Sequence, residues 1–343
     1  MGERLDALLR AINGLDRLLI MPHNNPDPDA IASALALRFL LDQVSKVSGQ
    51  LAYVGLVGRS ENKALVRYLD YPSEPVHVRE LDEQVPWALV DTQPGAGNNP
   101  WHAGISVAIV IDHHHLRETT ALAAFADVRQ DIGATSTLLT QYLREANIEP
   151  SPRLATALLY GIKSDTLSLS RGARQADVDA YLYLLARADI DALTEIERAQ
   201  VPAGYFKSLV GTLMSACVYD HVVIAYAGAV VHPDFVAEMA DSLLRLQGAQ
   251  WVIAIGIYRE RLVISVRTNG SGGAGALVQH IVGDRGTAGG HGVLAAGDIP
   301  LSGDDPAKLA EDLAQRALRY LNVSSEVIGR KLVDEAECGP VDA

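Results

Sequence analysis

Cysteine is nearly absent from this chain, with Cys217 and Cys338 the only two in 343 residues. Sulfurs so far apart match neither a zinc-ligand spacing nor a disulfide framework, so the expectation is a core thiol and a tail thiol in a reducing cytoplasm. Long hydrophobic runs are missing as well. No stretch of about 18 uninterrupted apolar residues occurs, and no membrane association is expected. The opening residues, Met1-Gly2-Glu3-Arg4-Leu5-Asp6, are charged and amphipathic and lack the apolar region of a signal peptide. Basic residues are in deficit, 29 Lys and Arg against 42 Asp and Glu, for a net charge of -13. Coating long duplex DNA requires many Lys and Arg phosphate contacts, so that role is excluded, whereas a small phosphorylated substrate is not.

What is present describes an ordinary globular protein, 48% hydrophobic and 21% charged, long enough for two domains. Apolar runs at Arg17–Met21, Leu51–Val57, Ala88–Val90 and Val107–Ile111 read as buried strands. Helical periodicity appears over residues 3–14, Asp29–Leu41 (with Pro28 near the first helical position), Ala134–Ala146 and Pro152–Ile162. Strands alternating with helices predict an α/β fold built on a mostly parallel, doubly wound sheet over residues 1–190. A polar helical connector follows over 191–215. A smaller α/β domain with a mixed sheet is expected over 216–322, with strands at Val222–Tyr226, Trp251–Ile255 and Arg261–Arg267 and helices near 274–283 and 306–321. Residues 323–343, polar and containing Gly339-Pro340, read as a loosely ordered tail.

Chemistry-bearing residues recur behind the predicted elements of the first domain. The run Asp112-His113-His114-His115 stands directly after an apolar strand, and the C-terminal ends of strands are where open α/β sheets hold ligands. His23, Asp27 and Asp29 fall within one strand-to-helix connection. Capping of the following helix accounts for one carboxylate but poorly for two carboxylates and a histidine. Asp91 ends another strand, and Asp165 follows an apolar helix in Gly161-Ile162-Lys163-Ser164-Asp165-Thr166. Oxygen ligands mixed with imidazole suit a divalent cation such as manganese rather than a thiolate-bound metal. One bridging carboxylate would hold two cations about 3.5–4 Å apart, a spacing suited to in-line phosphoryl displacement.

The second domain offers a glycine-rich segment, Gly286-Thr287-Ala288-Gly289-Gly290-His291-Gly292, whose exposed N–H groups could form an anion nest. Arg267, at a strand end before Asn269-Gly270-Ser271-Gly272-Gly273, is a second phosphate-binding candidate. Taken singly, a flexible turn and a surface arginine explain these equally well.

In this order the pieces resemble the DHH phosphoesterase superfamily with its DHH-associated C-terminal domain, over about residues 15 to 320. The carrying motifs are His23 through Ile31, Asp91, Asp112-His113-His114, Gly133-Ala134-Thr135-Ser136, Asp165 in its Ser-Asp-Thr setting, and the segment around His291. The resemblance implies two domains flanking a cleft. His23, Asp27 and Asp91 would hold one manganese. Asp29, Asp91, His113 and Asp165 would hold the other, Asp91 bridging. Asp91 and His114 are the implied catalytic residues, His114 facing the substrate phosphate, while Arg267, Gly289, Gly290 and His291 would hold the substrate. The cofactors implied are two divalent cations, Mn2+ first, with Mg2+ or Co2+ as alternatives.

The chain departs from the common pattern at Pro28, which replaces a glycine; at His115, which extends the namesake motif and reads as a surface histidine; and in the three residues between His291 and Ala295, where two are usual. Its compact size resembles the nano-RNase group, related to the RecJ-type exonucleases, and implies hydrolysis of short single-stranded oligonucleotides or linear dinucleotides to mononucleotides. The alternatives are a phosphatase acting on nucleotide 3′,5′-bisphosphate, pyrophosphate or polyphosphate, and a non-catalytic nucleotide-binding sensor, which loss of a ligand would signal. Every implied ligand is present. A homodimer is the expected assembly, from related proteins and the commonness of two-fold symmetry.

Overall fold

The computed structural model describes residues 2–72, 75–333 and 337–340, with His291 and the last four described for their backbone alone. The chain divides into two compact units, Met1–Ala199 and Gln200–Ala343. The division falls inside the stretch expected as a connector.

The first unit runs α1 (Glu3–Ala11), β1 (Arg17–Pro22), α2 (Pro28–Val44), β2 (Ser48–Leu51), α3 (Ser60–Leu69), β3 (Trp87–Val90), β4 (Val107–Asp112), β5 (Phe125–Val128), α4 (Thr135–Glu145), α5 (Pro152–Asp165), α6 (Gln175–Leu185) and α7 (Ile190–Glu197). Its five strands are all parallel, in the order β2-β1-β3-β4-β5. Residues of β3 and β4 are buried throughout, as expected of parallel strands covered on both faces. Alternate residues divide between two cores. Leu18, Ile20, Ala88 and Val90 pack with the helices, whereas Leu19, Met21, Trp87 and Leu89 join a smaller cluster with Val85 and Ile105.

Local signals explain the helix starts. Asp27 caps α2 by accepting from the Ala30 N–H at 3.0 Å, with Pro28 at the first position, and Ser151 caps α5 ahead of Pro152. The second strand lies earlier than Leu51–Val57. Leu51 is its last residue, because the next segment bonds instead to the loop after β1: Asn25 donates its N–H to the Val54 carbonyl, and its side-chain oxygen accepts from the Leu56 N–H.

The second unit contains α8 (Ala203–Ser215), β6 (Cys217–Tyr219), β7 (Val222–Ala229), α9 (Asp234–Leu243), β8 (Trp251–Tyr258), β9 (Arg261–Thr268), α10 (Ala274–Val282), β10 (Thr287–His291), β11 (Leu294–Pro300), α11 (Pro306–Tyr320), β12 (Ile328–Lys331) and β13 (Glu337–Pro340). They form an eight-stranded mixed sheet in which β7 and β8 pair in parallel around α9. Helices α10 and α11 cover one face and α9 the other.

Three expectations for this unit need correction. The glycine-rich segment is a β-hairpin rather than a loop nest, with β10 paired antiparallel to β11. Gly290, at φ 149°, lies where a Cβ would run into Ala295. The stretch read as a loose tail contributes β12, which pairs with β6 and brings Gly329 flat against the Tyr219 ring, where no larger residue fits. Cys217 is disulfide-bonded rather than a free thiol. Strand pairing over more than 100 residues of sequence brings the C-terminal strands to its neighbourhood, a proximity that spacing alone does not reveal.

Buried Asp177 ties α6 to the start of α4, accepting from the Gly133 N–H at 2.9 Å and the Thr137 hydroxyl at 2.7 Å as well as from Arg174 N–H at 2.8 Å. Asp177→Ala strands these donors and should lower unfolding free energy by about 3 kcal/mol in urea titration; a loss below about 1 kcal/mol would show that water or neighbouring groups replace the carboxylate.

Candidate metal centre

The sheet order changes direction at β1, with β2 on one side and β3 on the other. At such a switch point the loops leaving adjacent parallel strands diverge and open a crevice at their carboxyl ends. His23 follows β1, Asp91 follows β3, and Asp112 ends β4 with His113 and His114 behind it. Asp27 and Asp29 come from the start of α2, and Asp165 from the end of α5.

These side chains converge into three overlapping trios, His23-Asp27-Asp91, Asp29-His113-Asp165 and Asp91-His113-His114, within each of which one ligand atom per residue lies within 4.8 Å of the others. Every residue expected as a metal ligand is therefore in the cluster, and Asp91 joins two of the trios. One Asp91 oxygen lies 3.5 Å from His23 Nε2 and the other 3.5 Å from His113 Nε2. His113 Nε2 also lies 3.3 Å from Asp165, and His23 Nε2 3.7 Å from Asp27.

Hydrogen bonds fix which imidazole nitrogen faces the cluster. His23 Nδ1–H donates to the Asn24 carbonyl at 2.9 Å and His113 Nδ1–H to that of Ile132 at 3.3 Å. Each leaves the Nε2 lone pair directed at carboxylates, the arrangement of a metal-bound histidine oriented by its other nitrogen. His113 Nε2 is buried with no hydrogen-bond partner among the described residues. A buried, unpartnered ring nitrogen between two carboxylates is what a cation site presents, and the donor set fits a divalent metal.

Electrostatics agree. Burial pushes the Asp29 carboxyl well above its usual range, and the charges of Asp91 and Asp165 add to the push. Yet both Asp29 oxygens accept backbone N–H bonds, from Thr135 at 2.7 Å and Ser136 at 2.8 Å, the pattern of an ionised carboxylate. A neighbouring cation reconciles the two. Burial and Asp27 likewise raise Asp165. For His23 and His113 burial disfavours the charged form, but the surrounding carboxylates outweigh it and hold both well above the ordinary imidazole value.

Several participants carried no signal of their own in the sequence. The Thr135 hydroxyl donates to Asp91 Oδ1 at 2.8 Å, so the start of α4 serves Asp29 and Asp91 together. Asp91 has φ 58°, a left-handed conformation disfavoured for a side-chain-bearing residue. Arg171 donates to the Asp165 carbonyl at 2.9 Å. Asp112 accepts from His114 Nδ1 at 2.8 Å rather than joining a ligand trio. His115 is exposed and pairs with Gln130.

The substrate-side candidates lie in the other unit. Arg267, on β9 and nearly buried, donates Nε to Asp241 at 2.6 Å and Nη1 to Ser265 at 2.8 Å. Gly289 and Gly290 belong to the β10 edge of the hairpin, and the His291 side chain lies outside the described residues.

Residues 17–162, which carry every candidate ligand except Asp165, match the DHH family, N-terminal domain, so the first unit contains a DHH family domain. An uncharacterized protein of Methanocaldococcus jannaschii is 37% identical over 321 residues, 93% of this chain but 62% of its own length. A probable manganese-dependent inorganic pyrophosphatase of Deinococcus radiodurans is 31% identical over 177 residues, 51% of this chain and 55% of that protein. The chain thus spans only about three fifths or less of these relatives. An exopolyphosphatase-related protein from Bacteroides fragilis shares the fold with a TM-score of 0.72 and 16% identity, over 92% of this chain and 96% of that one. Among the described residues no helix is long and apolar enough to cross a membrane.

Because His23 and His113 hold their protons to higher pH than an ordinary imidazole, cation binding there would displace protons. Mn2+ affinity should therefore weaken as pH falls from 8 to 6, and calorimetry in buffers of differing ionisation enthalpy should record net proton release. Affinity independent of pH over this range would count against these groups as ligands.

Proposed function

We propose that this protein is a divalent-cation-dependent phosphoesterase, manganese being the favoured metal, that hydrolyses short single-stranded oligonucleotides or linear dinucleotides to mononucleotides. The observation that carries the reading is the set of overlapping carboxylate and imidazole trios joined through Asp91 and His113 at the switch point of a parallel sheet. His23, Asp27 and Asp91 would hold one cation, and Asp29, Asp91, His113 and Asp165 the other. Bound there, the cations would lower the pKa of water and neutralise charge on the phosphoryl oxygens.

The protein's own groups prepare that chemistry. Asp91 is fixed by its backbone conformation and by the Thr135 hydroxyl, so its two oxygens face different trios. His114 gives its Nδ1–H to Asp112, and its ring is the proposed contact for a phosphoryl oxygen. Gly289, Gly290, His291 and Arg267 of the second unit are the proposed substrate contacts. The excess of acidic over basic residues favours a short substrate, since a long one would require many more cationic contacts.

Pyrophosphate or polyphosphate is the second reading. It is favoured by the likeness to a manganese-dependent inorganic pyrophosphatase, which extends over half of this chain.

Manganese-loaded protein incubated with a labelled dinucleotide, a longer oligonucleotide, a nucleotide 3′,5′-bisphosphate and pyrophosphate separates the two. The dinucleotide should be consumed fastest; turnover of pyrophosphate alone would replace the nuclease reading with the second one. Asp91→Ala should reduce turnover to background, and retained activity would remove Asp91 from its joining role. His291→Ala should raise KM more than it lowers kcat, whereas an unchanged KM would speak against the hairpin as a substrate contact.

A further inference from the structure

Gln93 stands two residues beyond Asp91, on the loop leaving β3, and is 1% exposed. Its carboxamide is fully engaged. Nε2 donates to Asp112 Oδ2 at 2.6 Å and to the His115 carbonyl at 3.0 Å. Oε1 accepts from the Arg117 N–H at 2.9 Å and from the Thr120 hydroxyl at 2.6 Å. An amide has two N–H groups and two lone pairs, and all are matched here. The amide can sit only one way round. Flipped, its oxygen would oppose the Asp112 carboxylate and its NH2 would oppose the Arg117 N–H.

All four partners lie on the short stretch from Asp112 to Thr120, which carries the histidines. Asp112 in turn commits its other oxygen to that stretch, accepting from the His113 N–H at 2.8 Å, the His114 N–H at 3.3 Å and His114 Nδ1 at 2.8 Å. Neither Gln93 nor Asp112 belongs to a ligand trio. Gln93 therefore reaches the His114 ring and the His113 N–H through one carboxylate, and touches no proposed ligand side chain itself.

We propose that Gln93 is a positioning residue: it locks Asp112, and through Asp112 it fixes the orientation of the His114 ring, whose Nδ1–H rests on that carboxylate. The use made of that orientation rests on the phosphoesterase reading above; the orientation itself does not. The amide is required for both of its donors. Methionine has a similar shape without them, and glutamate would face Asp112 with a second negative charge.

Gln93→Met and Gln93→Glu test this in the full-length protein. In the Mg2+-loaded wild type, imidazole 15N–1H correlation spectra should show a hydrogen-bonded His114 Nδ1–H. In both variants that signal should shift and broaden as the Asp112 acceptor loses its fixed position. Where the wild type turns a substrate over, kcat should fall on the order of 10–100-fold, with KM and Mn2+ affinity held within about twofold. A general loss of structure would lower Mn2+ affinity and melting temperature together, and a wild-type melting temperature in either variant separates the local effect from misfolding. Unchanged His114 spectra in either folded variant would overturn the proposal, as would wild-type kcat. Should the wild type cleave none of the four substrates, the phosphoesterase reading would fail alone, and the spectra would still decide what Gln93 does to His114.

Discussion

Repulsion among closely placed carboxylates, Asp29 and Asp91 buried and Asp27 and Asp165 partly so, is the interaction around which the first unit is organised. Asp27 and Asp91 lie within one trio and Asp29 and Asp165 within another, their ligand oxygens no more than 4.8 Å apart. At that separation two negative charges repel by about 3–4 kcal/mol at an effective dielectric near 20. A few such pairs approach the whole stability of a domain. The fold can keep these groups together only by surrounding them with donors and by leaving room for cations at their centre.

The donors are supplied with little redundancy. The first turn of α4 gives two backbone N–H groups to Asp29 and the Thr135 hydroxyl to Asp91, while Asp177 holds the preceding Gly133 N–H in place. The Ala134 position at the start of α4 has no side chain able to cap the helix, so Asp29 does so from 106 residues away. Asp27 divides its oxygens, one capping α2 and the other turned to His23. Structural and proposed metal-binding duties thus fall on the same carboxylates.

The three histidines that face the cluster share one device. Each gives up its Nδ1–H to an oxygen of its own neighbourhood: Asn24 and Ile132 carbonyls for His23 and His113, and the Asp112 carboxylate for His114. The difference in acceptor matches the difference in proposed role. A neutral carbonyl suffices to orient a ligand, whereas an anionic partner strengthens His114 as a hydrogen-bonding group toward a charged phosphate.

The residues that cluster could be read in the sequence because they stand at the ends of strongly apolar strands and helices, where periodicity marks the boundary and the polar residue behind it is conspicuous. His23, Asp91 and His113 are of this kind. The parallel order of the first sheet was legible for the same reason, since β1, β3 and β4 are buried on both faces and carry almost no polar residues. What sequence spacing could not supply is any pairing made across long distances. The hairpin at Gly290, the addition of β12 beside β6, the disulfide at Cys217 and the capping of α4 by Asp29 depend on which segments the folded chain brings into contact. Gln93 is the sharpest case: an unremarkable polar residue in a loop becomes a fully bonded anchor only because β3 and β4 lie side by side. The sequence by itself determined the chemistry, since residue types and strand ends fix which groups can bind a cation. Tertiary structure alone decided their division of labour, because a hydrogen bond or a shared cation depends on distances of a few ångströms that linear order does not encode.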